Sequence, residues 1–160
     1  MILLIDDWKF NIDLIRTIEY SVKETVEHCD CAYCRNFYET VDSHLPQLRP
    51  FLAQFGLNVE APDEMLPVIC DMLLYDPTYK VYGKILQFGC NKKRAGLCNI
   101  IARAEDEKAD YFWLDCFEVL LTWNLDEPLR DVISTANEPS RLERMWQKFL
   151  GKAFDKDIMS

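Results

Sequence analysis

Apolar and polar residues alternate from Trp8 onward: Trp8, Phe10 and Ile12, then Ile18, Tyr20 and Val22. A period of two places these side chains on one face of an extended chain, and residues 17–26 carry β-branched side chains that suit a strand. One or two strands are therefore predicted over residues 8–26, with a helix as the alternative. The spacing then changes. Phe37, Val41, Leu48, Leu52 and Phe55 recur at helical intervals, and Pro46, whose ring cannot sit inside a continuous helix, divides the run into two helices. Gly56 is the expected C-terminal stop. Residues 57–67 hold Pro62, Pro67 and three acids, and read as an exposed connection with a short helix after Pro62.

Three strand-like runs follow, at residues 79–88, 96–104 and 111–123. The polar connections between them, 89–95 and 105–110, are too short for crossover helices, which predicts an antiparallel meander in the C-terminal half. In the last run Phe112, Leu114, Cys116 and Leu120 share one face, while the series Trp113, Phe117 and Val119 breaks phase as at a β-bulge. Ser140 and Glu143 form a capping box for a terminal helix whose buried stripe is Leu142, Met145, Trp146, Phe149, Leu150 and Ala153. The expectation is an α+β fold, an antiparallel sheet packed against helices, in one globular domain over residues 1–160.

Composition narrows the functional classes. Eighteen Lys and Arg against 27 Asp and Glu give a net charge of -9, which repels phosphate backbones and favours a basic protein partner over nucleic acid. The 20 aromatic residues are more than one small core needs, so part of them is expected on a contact surface. Met1 to Ile5 is apolar, but Asp6 and Asp7 follow at once, and no run approaches the roughly 20 apolar residues that cross a bilayer. Without a signal peptide or membrane span the expected location is the cytoplasm, where the seven cysteines read as reduced thiols.

Candidate chemistry concentrates in one place. His28, Cys29, Cys31 and Cys34 lie within seven residues, and thiolate and neutral imidazole are the ligands zinc prefers. Cys31 and Cys34 have the spacing that lets one turn aim two sulfurs at a single ion, with Cys29 or His28 near enough to help. The alternative is three thiols packed near a helix start. Hydrolase chemistry is disfavoured, since His28 and His44 are the only imidazoles and neither lies in a nucleophile elbow or zinc-protease helix. The acid pairs Asp106-Glu107 and Asp126-Glu127 read as solvated loops, and no glycine-rich phosphate loop is present. Asn91-Lys92-Lys93-Arg94 reads as a solvated hairpin tip. No catalytic residues are assigned.

Two resemblances bear on this cluster. Cys31-Ala32-Tyr33-Cys34 resembles the active-site Cys-x-Tyr-Cys of glutaredoxins, which implies Cys31 as the attacking thiol and Cys34 as the resolving one, though no parallel strand pattern precedes it. The run from Cys31 to Phe37, with Trp123-Asn124-Leu125-Asp126-Glu127-Pro128, resembles an uncharacterised family of small bacterial proteins. In general character the chain resembles toxin-immunity proteins. The expected function is a non-enzymatic cytoplasmic binding protein, immunity-like, that masks a basic partner and needs no cofactor. The alternative is a zinc-binding or thiol-redox protein using the His28 to Cys34 cluster.

Overall fold

The computed structural model describes residues 1–26, 29–69, 73–89, 93–95, 98–117 and 119–126. The chain divides into two units, Met1–Asn124 and Leu125–Ser160; the elements below belong to the first. The expected terminal helix, with Leu142, Trp146, Phe149 and Leu150, lies outside the described residues.

The fold is α+β. An antiparallel hairpin opens it: β1 (Ile2–Ile5) pairs with β2 (Trp8–Ile12) through the two-residue turn Asp6-Asp7, where Asp6 takes φ 50°. Trp8, Phe10 and Ile12 point into the core, as their alternation requires. Residues 17–26 are not a strand. They belong to helix α1 (Leu14–Val26), started by Asp13, whose carboxylate accepts the Arg16 N–H. The inward face of α1 is polar: Thr17 and Ser21 are buried, while Ile15, Ile18 and Val22 are exposed. The Thr17 hydroxyl donates to the Asp13 carbonyl and accepts the Tyr82 N–H, and the Ser21 hydroxyl accepts the Asn58 N–H. The apolar alternation that suggested a strand is thus the outer surface of a helix.

The next two helices follow the sequence closely. Helix α2 (Ala32–His44) buries Phe37 and Val41, Leu45 caps it just before Pro46, and helix α3 (Leu48–Ala53) buries Leu48 and Leu52. Gly56 closes the segment at φ 81°, where a β-carbon would stand 2.9 Å from both Leu14 and Ile18. Beyond it the expected exposed connection is overturned. Leu57, Val59 and Ala61 are buried, no helix follows Pro62, and Glu64–Ile69 forms strand β3. Pro67 is tolerated because β3 pairs, among the described strands, with β4 alone.

Strand β4 (Leu73–Gln87) is the spine of the sheet, pairing along its 15 residues with β2, β3, β7 and β8. Strands β5 (Lys93–Ala95), β6 (Cys98–Ala104), β7 (Tyr111–Phe117) and β8 (Val119–Leu120) complete it, and every pairing is antiparallel. The C-terminal meander runs β5-β6-β7, so Lys93 and Arg94 begin a strand instead of forming a turn tip. The expected sequence of three neighbouring strands is corrected at its first member: the 79–88 run belongs to β4 and pairs with β7 instead of β6, giving the order β1-β2-β4-β7-β6-β5. Three strand spacings of about 4.8 Å separate β4 from β5, and the six peptide links from Gln87 to Lys93 reach about 20 Å, so the crossing is within the chain's span. The expected phase break is present: from the pair Tyr75↔Val119 to the pair Thr78↔Asp115, β4 advances three positions while the other chain takes four. Phe112, Leu114 and Cys116 are buried before it, and Val119 and Leu121 after it.

The core lies where α2 and α3 cover the sheet. Phe10 contacts Phe55 and Phe112 with ring centroids 5.3 Å away in each case, and Phe37 packs on Tyr75 at 5.5 Å. On the surface, the half-exposed rings of Tyr20, Tyr111 and Trp113 surround the Lys80 ammonium at 4.9 to 5.1 Å, and Arg16 lies 3.8 Å over Tyr82. These cations are neutralised in turn by Asp63 and Asp110. Asp106 is a solvated turn residue, its carboxylate accepting the N–H groups of Lys108 and Ala109.

Candidate thiolate site

The start of α2 assembles the thiols. Cys31 is the N-cap residue, with extended backbone at φ -60° and ψ 159°, and its carbonyl accepts the first helical bond from Arg35. Cys34 lies one turn in, so both sulfurs face the open end of the helix. Cys29 precedes them, and its sulfur accepts the Cys31 N–H at 3.5 Å. The three Sγ atoms lie within 4.8 Å of one another, close enough to hold a metal ion. Zinc–sulfur bonds of about 2.3 Å place tetrahedral ligands roughly 3.8 Å from each other, so side-chain rotation closes the remaining gap.

The three positions differ in access and in charge. Cys29 and Cys31 are exposed, whereas Cys34 is buried. The hydrogen bond from the Cys34 thiol lowers the Cys31 pKa to about 5 against the cost of its burial; the N–H of Cys34, the Cys29 thiol and the N–H of Tyr33 add to the lowering. The neighbouring thiol is the first cause, and the positive end of the helix acts in the same direction. Cys34 shifts the other way, raised first by its bond to Cys31 and then by burial. A thiolate and a thiol thus sit side by side. Tyr38 neighbours Cys34, its own ionisation raised chiefly by burial.

A buried polar network supports the helix from below. Asn36 is fully buried; its amide donates at 3.0 Å both to the Tyr75 hydroxyl and to the Thr122 carbonyl, and its side-chain oxygen accepts the Asn124 N–H at 2.8 Å. The Tyr75 hydroxyl in turn donates to the Tyr33 carbonyl at 3.2 Å. Tyr33 packs edge-on against Trp123, with centroids 5.9 Å apart. The run from Cys31 to Phe37 and the residues from Thr122 to Asn124 therefore meet in space. Sequence reasoning missed Asn36 and Asn124 as partners. His44, at the end of α2, meets the Thr122 hydroxyl at 3.1 Å.

Of the predicted ligands, Cys29, Cys31 and Cys34 are brought together, and His28 lies outside the described residues. Cys116 is a buried core residue of β7, as its apolar neighbours suggested. No described helix is long and apolar enough to cross a membrane. No family model, curated protein or solved structure matches the chain.

Proposed function

We propose that the protein binds a zinc ion through Cys29, Cys31 and Cys34. The observation that carries this reading is the convergence of three sulfurs on one helix start. Soft thiolates in this number select zinc over the hard cations, and a thiolate favoured at Cys31 gives the ion its first ligand near neutral pH. Cys34 gives up its proton on binding, so affinity falls with acid. His28, the adjacent donor in the sequence, is the candidate for the fourth position. The ion stabilises the fold at the entry to α2. The test is metal analysis of protein purified without chelator under reducing conditions. One zinc per chain is expected, lost when the three cysteines are replaced by serine. Protein that takes up no zinc from a micromolar supply overturns the reading.

A second reading, a binding protein that masks a basic partner in the cytoplasm, immunity-like in character, is favoured by a separate observation. The half-exposed rings of Tyr20, Tyr82, Tyr111 and Trp113 form one surface in a chain of net charge -9. Such rings hold cations well, as Lys80 and Arg16 demonstrate within the chain itself. The two readings are compatible, since the rings belong to α1, β4 and β7 and the thiols to the start of α2.

A further inference from the structure

We infer that the thiol site is gated by oxidation: a low-molecular-weight disulfide of the glutathione class converts Cys31 and Cys34 to an intramolecular disulfide and expels the ion. This rests on the zinc reading and adds its regulation. The geometry that points to it is the asymmetry along one helical turn. Cys31, at the N-cap, is open to solvent, while Cys34, three residues on, is buried behind it with the two sulfurs already within 4.8 Å. An external disulfide reaches the exposed Cys31, and the mixed disulfide formed there lies within reach of the Cys34 sulfur buried behind it. Closing to the S–S bond length of about 2.05 Å takes side-chain rotation on a Cys-x-x-Cys turn that is already formed. Cys29 is also exposed, but it lies outside the helix, where its position is not fixed by helical geometry.

The exchange balances without a further reagent. The Cys31 thiolate leaves the ion and attacks one sulfur of glutathione disulfide, whose S–S bond breaks to release one glutathione thiolate. The Cys34 thiolate then attacks the Cys31 sulfur, expels the second glutathione thiolate and completes the protein disulfide. Two protein thiolates are oxidised, one glutathione disulfide is reduced, two protons are taken from water, and zinc, having lost two ligands, departs.

The test uses the zinc-loaded full chain, freed of reductant and exposed to glutathione disulfide beside a chromogenic zinc chelator. Release of one zinc for every two glutathione thiols formed is expected, with a peptide map joining Cys31 to Cys34 and binding restored by dithiothreitol. Cys29→Ser should still form that disulfide, whereas Cys34→Ser should stop at glutathione attached to Cys31. Because Cys34→Ser removes a buried group, Cys31→Ser serves as the surface control and should yield neither product. A chain that binds zinc and keeps it in excess glutathione disulfide overturns the gate and leaves the zinc reading intact. A disulfide that includes Cys29 overturns the assignment of the pair. A Cys31–Cys34 disulfide on a chain that never takes up zinc overturns the zinc reading and the gate together.

Discussion

At the scale of single residues, Cys31 and Cys34 show how one helical turn separates two identical side chains. Cys31 is held as a thiolate by the Cys34 thiol and by the helix start, so its pKa falls from 9.0 to about 5. The charged form is favoured in the folded state. Its stabilising contribution is therefore complete above the ordinary thiol value and is lost as pH falls toward about 5. In metal-free protein, alkylation at Cys31 by iodoacetamide should be almost independent of pH from 9 down to about 6 and half-maximal near 5. Cys34 should react slowly throughout, being buried and held as the thiol. A Cys31 profile that rises only above pH 8 would remove the thiolate assignment.

At the scale of elements, α1 shows why burial cannot always be read from apolar spacing. Its inward positions are Thr17 and Ser21, small enough to bring the helix close to its neighbours and polar enough to bind the Tyr82 and Asn58 N–H groups. Replacing Thr17 with valine keeps the shape but leaves a backbone donor unsatisfied, and should cost about 1–3 kcal/mol in denaturant unfolding. Replacing the exposed Ile15 with serine should change stability by no more than about 0.5 kcal/mol. The reverse order would restore the expectation drawn from the alternation. Helices α2 and α3 were legible because Phe37, Val41, Leu48 and Leu52 are both apolar and buried, and the bulge between Asp115 and Val119 was legible because an extra residue shifts the phase of everything beyond it. Strand β3 was not, since Pro62, Pro67 and the acids resemble a loop, and only the pairing with β4 shows that an edge position accommodates them. Of the candidate site, the cysteines were legible from spacing alone. The asparagine network was not, because Asn36 and Asn124 lie 88 residues apart and local pattern carries no information on such a pairing.

At the scale of the molecule, the sheet depends on β4 changing partners along its length. The change falls at Gly83, which takes φ 139°, pairs with Ile12, and donates its N–H to the Asp110 carbonyl at 2.8 Å. A β-carbon there would lie 2.1 Å from the Asn11 carbonyl oxygen. Gly83→Ala should therefore cost about 2–4 kcal/mol, since either the strand crossing opens or the backbone is strained. Unfolding at an unchanged denaturant midpoint would show that the crossing yields at little cost. The net charge sets a second expectation at this scale. If the ringed surface receives a basic partner, association should slow by about tenfold or more between about 50 and 500 mM salt while dissociation changes less. Kinetics insensitive to salt would remove electrostatic steering from that reading.

The clasp of Asn36 on Asn124 gives the thiol site a remote reporter. Asn124 gives its N–H to a side chain seated on the helix that the cysteines begin, so separation of that helix from the segment after β8 frees the amide to exchange with solvent. Zinc opposes that opening if it holds the helix entry. At zinc about 100 times its dissociation constant, exchange at Asn124 should slow by up to roughly 100-fold, although no ligand lies nearby in sequence. Asn36→Ala should abolish this response and leave zinc uptake in place. A single slow amide, followed by hydrogen exchange, would then report whether the cluster is loaded.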